Sequence, residues 1–492
     1  MAQFSLCPLL SISTRLASRS ARLARRVAWL VGLLLGLTEW GAAQALPPAL
    51  EAALVRAKVP RDALSLVVVD VQPGATPLWS HQAQLPMNPA SVMKLVTTTA
   101  ALDRLGPAFT WTTPVYVDGT VRDGTLTGQL WIQGQGDPRL VLERLWLLLR
   151  RVQGLGIAHI VGDIVLDNTA FAPPPVLPGE FDGEPLRPYN ASPDALLINF
   201  KSVVLTITPD PTQGVARLQW DPPLAGVHMP ERAPLREGEC NDYRGALKAD
   251  FSDPLRFRIE GTYPTSCGEK VWPVAYADPN QFAARAVHGL WTQMGGRLQG
   301  RVRYAALPAQ ARDWQPAFVL RSPTLAEVVR DINKFSNNVM AQQLFLTLAR
   351  ESGSVSADLP RARAQVSSWW QQRLGGNDGP VLDNGSGLSR SQRISASALA
   401  RLLLWSYASP LMPDLLASLP MGGVDGTLRR APTLSQGGAH LKTGSLTDVT
   451  ALAGYIHAHS GKRFVFVTIV NHPQARQLRP ALDALVESVT RL

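Results

Sequence analysis

Asn88-Pro89-Ala90-Ser91-Val92-Met93-Lys94 is the stretch on which the fold of this 492-residue chain turns. Asn88-Pro89-Ala90 interrupts the preceding structure, and the apolar spacing over 91–105, with Leu95, Leu102 and Leu105 inward, predicts a helix. Ser91 therefore sits at a helix start. Residues three apart project from one helix face, so the Ser91 hydroxyl and the Lys94 amine come within hydrogen-bond reach. A serine becomes a nucleophile when a base takes its proton, and a lysine is a base only when burial or a neighbouring cation lowers its pKa. Of the eight lysines, Lys94 alone has a serine three positions upstream. By itself the pair is an ordinary helix face.

Two more strings change that reading. Ser336-Asn337-Asn338 is the only Ser-x-Asn in the chain, and Lys442-Thr443-Gly444 the only Lys-Thr-Gly. The first follows a predicted helix whose start, Thr324 to Glu327, has capping-box spacing, and it sits on a turn from which a hydroxyl and an amide reach a cleft. The second is expected to precede a strand, where Gly444 would let a substrate backbone approach an edge and Lys442 would supply positive charge. Either alone is a structural turn.

Together and in this order, the three strings resemble those of the penicillin-recognising serine enzymes. The 245 residues from Ser91 to Ser336 exceed the usual gap, an arrangement similar to the low-molecular-mass class C penicillin-binding proteins, the D-alanyl-D-alanine carboxypeptidase/endopeptidases. Gly134-Gln135-Gly136-Asp137-Pro138, Asp383-Asn384-Gly385-Ser386-Gly387-Leu388-Ser389, Gly423-Val424-Asp425-Gly426-Thr427-Leu428 and the run from Lys442 to Val449 resemble the same family. The resemblance implies an α+β fold: a β-lactamase/transpeptidase-like domain, an antiparallel sheet flanked by helices, interrupted by a large β-rich insertion of two smaller domains. It implies Ser91 as the acylated nucleophile, Lys94 as its base, Ser336 and Lys442 for the second proton transfer and the terminal carboxylate, and Asn338 for the substrate amide. Thr443, Gly444 and Ser445 would line the substrate, with the backbone N–H groups of Ser91 and Ser445 as oxyanion donors. Asp182, Glu184 and Tyr189 are candidates for gripping a diaminopimelate side chain. Ser386 and Asp425 read as structural. Peptidoglycan stem peptides are the implied substrate, β-lactam antibiotics the implied covalent inhibitors, and a periplasmic location follows.

Two alternatives stay open on the sequence. A serine β-lactamase shares the fold, but the Glu-x-x-Leu-Asn segment of its class A form is missing: Glu351, followed by Ser-Gly-Ser-Val, is the only glutamate between Asn338 and Lys442. A non-catalytic wall-binding scaffold would have no need of three intact strings.

The rest of the chain fits an exported protein. The expected domains are a signal peptide over 1–45, a first transpeptidase-like part over 46–109, inserted domains over 110–300 and a second part over 301–492. Arg15, Arg19, Arg22, Arg25 and Arg26 precede an apolar run at 27–37, too short to span a bilayer, and small residues follow at 41–45. Those arginines and Glu39 hold +4 of the net charge of +10, and the remaining basic residues are scattered, which argues against nucleic acid as a partner. Once Cys7 leaves with the leader, Cys240 and Cys267 are the only pair left to form a disulfide. No metal-ligand spacing occurs, so neither metal nor cofactor is expected. Peripheral membrane association and homodimer formation stay open.

Overall fold

Val67 and Val68 are consecutive residues that pack into different cores. On the strand Leu64–Asp70, Val67 and Val69 join one apolar cluster while Leu64, Leu66 and Val68 join another. Both sides are covered, so the strand reads as a continuous apolar run rather than an alternating one. In this computed structural model the described residues are 46–172, 177–350, 356–431 and 437–492, the Arg312 side chain excepted. The expected leader, Cys7 and Glu351 lie outside them.

Leu64–Asp70 belongs to a five-stranded antiparallel sheet with the order Ala439–Leu446, Val449–His457, Arg463–Asn471, Leu64–Asp70, Pro77–His81. The same alternation governs its neighbours: Ala451, Ala453, Val465 and Val467 face the first cluster, and Leu452, Ile456, Phe464 and Phe466 the second. Helices Lys94–Leu105, Leu325–Phe335, Asn338–Arg350, Leu359–Arg373 and Ala396–Tyr407 complete the first cluster. Pro48–Ala57 and the closing helix Arg479–Thr490 complete the second. The Lys-Thr-Gly string precedes the strand Val449–His457, as its sequence suggested, and also lies inside a strand of its own, the edge strand Ala439–Leu446. Its polar side chains mask the strand pattern because this stretch borders a cleft.

The inserted segment builds two further sheets. A seven-stranded sheet opens with the hairpin Thr112–Arg122 and Thr125–Gln133. A five-stranded sheet has the order Tyr263–Pro264, Arg232–Arg236, Val215–Asp221, Ser202–Asp210, Lys270–Ala275. Cys240 and Cys267 are joined in a disulfide beside it. One continuous apolar cluster, including Leu130, Ile132, Ile198, Val203, Leu205 and Trp291, serves both sheets. The expected boundary at 300 falls too early. Val302–Tyr304 pairs with Ile164–Asp167 and Phe318–Arg321 with Thr112–Val115, and Phe318 and Leu320 bury in the insertion's own core.

The insertion is held to the helix Asn338–Arg350. Gln343 Nε2 donates to the carbonyls of Gly136 and Asp194, while its Oε1 accepts from the Asp194 N–H. Arg350 donates to the Gln135 carbonyl, and Arg139 pairs with Asp331 at 2.9 Å. The glycine-rich string at 134–138 thus lies at the seam, where its carbonyls are acceptors for one helix face. Among the described residues no helix is long and apolar enough to cross a membrane.

Candidate active site

Ser91 lies in a short 3-10 turn, Ala90–Met93, that runs straight into the helix Lys94–Leu105. Ala90 holds a left-handed backbone (φ 48°), a strained conformation for a residue with a Cβ, and its surroundings impose it. Its N–H donates to Asn88 Oδ1 at 2.9 Å. Asn88 and Asn471 bond each other twice, Asn88 N–H to Asn471 Oδ1 at 2.8 Å and Asn471 Nδ2 to the Asn88 carbonyl at 2.9 Å.

Two glycines close on this turn. A Cβ on Gly387 (φ 88°) would lie 2.2 Å from the Ala90 carbonyl oxygen, and one on Gly444 would lie 2.4 Å from that of Pro89. Gly444 was expected to admit a substrate backbone. The structure gives a different reason: the space is filled by the turn that carries Ser91, and glycine lets the edge strand pack against it.

The Lys94 amine, wholly buried, has three partners: Ser91 Oγ at 3.0 Å, Asn338 Oδ1 at 2.7 Å and the Ser386 carbonyl. Asn338 Nδ2 donates to the Tyr189 carbonyl at 3.0 Å, which fixes the orientation of the amide and leaves Oδ1 facing the lysine. Asn338 Oδ1 and the Ser386 carbonyl can only accept. A neutral amine has two hydrogens and one lone pair, so these two acceptors take its hydrogens and direct the lone pair at the Ser91 hydroxyl. Burial, and secondarily the charge of Lys442, hold the Lys94 pKa well below the usual lysine range.

A second serine–lysine pair faces the first. Ser336 takes a left-handed backbone (φ 55°) as the C-cap of Leu325–Phe335, whose capping box of Thr324 and Glu327 is formed. Its Oγ lies 3.0 Å from Lys442 Nζ, which also donates to the Thr443 carbonyl at 2.9 Å. Lys442 too is wholly buried, and burial lowers its pKa to about 7. Lys334 holds Asp425 at 2.6 Å beneath this turn, and Thr443 donates to Thr427 at 2.8 Å.

Ser91, Ser336, Thr427, Thr443, Ser445 and Arg479 line one cleft of about 290 Å³. The fold thus gathers Ser91, Lys94, Ser336, Asn338, Lys442, Thr443, Gly444 and Ser445. Asp182, Glu184 and Tyr189 are not among the cleft's lining residues. Asp182 accepts from the Tyr189 hydroxyl at 2.9 Å and from Asn190 at 2.7 Å, and Glu184 pairs with Arg187 at 3.2 Å. Of the three, Tyr189 reaches the site through its carbonyl, on Asn338. The reading from sequence overlooked the Ser386 carbonyl, Thr427 and Arg479. Thr427 stands in a quoted string; a backbone carbonyl leaves no signature in side-chain identity, and Arg479 stands in no string.

A buried Ser-x-x-Lys pair, a Ser-x-Asn turn and a Lys-Thr-Gly edge strand, set between one antiparallel sheet and a helical cluster, define a penicillin-recognising serine peptidase. The family model of D-Ala-D-Ala carboxypeptidase 3 (S13) matches residues 46–492, and the chain belongs to that family. It is thereby a serine-type D-Ala-D-Ala carboxypeptidase. The chain is 28% identical over 485 residues to a D-alanyl-D-alanine carboxypeptidase of Actinomadura sp. (strain R39), covering 91% of this chain and 87% of the relative. It is 24% identical over 394 residues to D-alanyl-D-alanine carboxypeptidase DacB of Haemophilus influenzae, with 78% and 80% covered. The crystal structure of penicillin binding protein 4 (dacB) from Haemophilus influenzae shares the fold, with a TM-score of 0.69 at 21% identity over 89% of this chain and 99% of that one. The same protein complexed with a β-lactam gives 0.62 at 21% identity over 86% and 96%.

Proposed function

We propose that this chain hydrolyses peptidoglycan stem peptides through an acyl-enzyme on Ser91, and that penicillins acylate the same hydroxyl. The observation that carries the reading is the Lys94 amine, whose acceptor-only partners Asn338 Oδ1 and Ser386 carbonyl leave its lone pair for Ser91. Lys94 takes the Ser91 proton as Oγ bonds to the carbonyl carbon of the penultimate D-alanine. The Ser91 and Ser445 N–H groups receive the oxyanion. As the C–N bond breaks, Ser336 passes a proton to the departing amine and Lys442 replaces it. The proton that Lys94 took from Ser91 makes good the one that Lys442 gave up, so Lys94 is neutral again; it then takes a proton from the water that attacks the ester and returns it to Ser91 Oγ as the acyl C–O bond breaks, releasing the shortened stem.

The leaving amine belongs to a terminal D-alanine in the carboxypeptidase reaction and to meso-diaminopimelate in a cross-link. Asp182, on the inserted loop that touches Asn338 through Tyr189, is the acceptor assigned to the free diaminopimelate amine of the acyl-side stem, with Glu184 and Tyr189 beside it. The Haemophilus structure with a β-lactam supports the inhibitor reading. The arginine-rich leader over 1–45 supports export to the periplasm.

Digestion of purified peptidoglycan with the mature protein, followed by separation of monomeric and dimeric muropeptides, tests the reading together with fluorescent-penicillin labelling. Stable labelling that Ser91→Ala abolishes, with loss of pentapeptides or dimers, is the expected result. Absence of labelling, or its rapid loss, overturns it in favour of a scaffold or a β-lactamase.

A further inference from the structure

The cleft contains a charged group that the mechanism above does not use. Arg479, first residue of the closing helix Arg479–Thr490, is the one charged side chain among the six that line the cleft. The others are hydroxyls. Both lysines are wholly buried, with their amines on protein acceptors: Lys94 has three, and Lys442 has Ser336 and Thr443. Neither presents a permanent positive charge to a bound molecule. A guanidinium does, since it stays protonated across the working range.

The Arg479 side chain is also held in place. Its Nε–H donates to Asp483 Oδ1 at 2.8 Å, one turn along the same helix. Asp483 is itself mostly buried, at 13% exposure, and Arg479 keeps 29%. Among the described residues this is the guanidinium's only hydrogen bond to protein. The bond through Nε fixes the plane of the group and leaves both terminal nitrogens for an acceptor, the fork geometry that suits a carboxylate.

We propose that Arg479 is the carboxylate anchor of this cleft, receiving, beside the hydroxyls of Thr443 and Ser445, the α-carboxylate next to the scissile nitrogen. The assignment rests on the peptidase reading above and narrows its substrate class. It also moves the carboxylate from Lys442, where the sequence placed it, to a different element. A terminal D-alanine carries a carboxylate on the carbon attached to the departing nitrogen. The D-centre of meso-diaminopimelate in a cross-link does too, and a penicillin carries one on the carbon attached to its lactam nitrogen. One anchor therefore serves all three. It selects against amides that lack the carboxylate, and does not choose between trimming and cross-link cleavage.

The test compares acids with their neutral counterparts on the mature protein: a diacyl-D-Ala-D-Ala peptide against its C-terminal carboxamide, and benzylpenicillin against its methyl ester. The wild type should favour the acids. Arg479→Gln should lower kcat/KM on the acids by about 10²-fold, a charged hydrogen bond's worth, and leave the neutral compounds within about 2-fold. Arg479→Lys should recover part of the loss. Asp483→Asn, which keeps the guanidinium but weakens its hold, should reduce the acid preference about 10-fold, and it serves if Arg479→Gln fails to fold. Equal losses on acid and neutral compounds, or an acid preference unchanged in every variant, overturn the assignment. A wild type that forms no acyl-enzyme on Ser91 overturns the peptidase reading instead, whereas one that acylates Ser91 without preferring acids overturns only the role of Arg479.

Discussion

Lys94 Nζ donates to Asn338 Oδ1 at 2.7 Å, joining residues 244 positions apart in the chain. That contact links the helix that follows Ser91 to the helix that holds the insertion. It also sets the protonation chemistry of the site, because an amide oxygen accepts from a neutral amine without supplying the negative charge that would keep the lysine protonated.

Acylation of Ser91 by a penicillin should accelerate with rising pH. As the proposed base Lys94 must be neutral, and its pKa is held below the usual lysine range by burial and by Lys442. The neutral fraction grows as pH climbs through that lowered value, so stopped-flow acylation rates should rise through an ionisation well below the roughly 10.4 of a free lysine. Lys94→Arg, which stays protonated, should lower the rate about 10²- to 10⁴-fold. A near-wild-type rate with an unchanged profile would remove Lys94 from the role of base.

Replacing the amide of Asn338 by a carboxylate should move that profile. In Asn338→Asp an anion takes the place of a neutral acceptor 2.7 Å from the amine and stabilises the ammonium. The acylation profile should shift upward by about one to three pH units. A profile that keeps its midpoint while the amplitude falls would show that Asn338 acts on the substrate alone.

Lys442 should make stability depend on pH. Its pKa is about 7 in the folded protein, against roughly 10.4 unfolded. Between those values the unfolded chain binds a proton that the folded chain releases, so stability rises with pH across the interval and is flat outside it. Chemical denaturation of wild type and Lys442→Gln at several pH values should give a difference that grows by at most about 1.4 kcal/mol per pH unit. Parallel curves would indicate that the folded lysine stays charged.

Gly387→Ala should impair acylation more than its distance from the chemistry suggests. The added carbon meets the Ala90 carbonyl oxygen and the Ser91 Cα, and φ is positive. A loss of about 1 to 3 kcal/mol in unfolding free energy is expected, with reduced penicillin labelling of the protein that remains folded. Full labelling at wild-type stability would mean that the turn can shift freely.

Removing the Cys240–Cys267 disulfide should affect the insertion and spare the chemistry. The two cysteines are 27 residues apart, for which chain entropy gives roughly 3 to 4 kcal/mol. Cys240→Ser with Cys267→Ser should lower the melting temperature while penicillin acylation of the folded protein stays near normal. Lost acylation in a folded double variant would tie the bridge to the cleft.

The sequence announced those parts of the site whose geometry is local. Ser91 and Lys94 follow from helix spacing, and Ser336 follows from a capped helix that must end. Leu64–Asp70 is a continuous apolar run because both its faces are buried. What stayed hidden depends on distant packing. The strand Ala439–Leu446 carries polar residues toward the cleft and so lacks an apolar rhythm, and the last two strands of the seven-stranded sheet, Val302–Tyr304 and Phe318–Arg321, lie beyond the boundary expected at 300. Gly444 was explained by a substrate when the neighbour that requires it is Pro89, 355 residues away in the chain. Arg479 belongs to the helix Arg479–Thr490 and stands in none of the quoted strings.

The pairing of Val67 with Val467 has a temporal consequence. Ribosomes deliver residues in order, and Ser91 emerges 351 residues before Lys442. At roughly 5 to 20 residues per second, that interval lasts roughly 20 to 70 s, during which the first strands have no partner for their central edge. The insertion, closed within itself, can condense in the meantime. The hydrolytic centre cannot, since Leu64–Asp70 needs Arg463–Asn471 beside it and contacts between such remote segments form late. The cleft is therefore assembled after the insertion has its own core, and that order follows from topology.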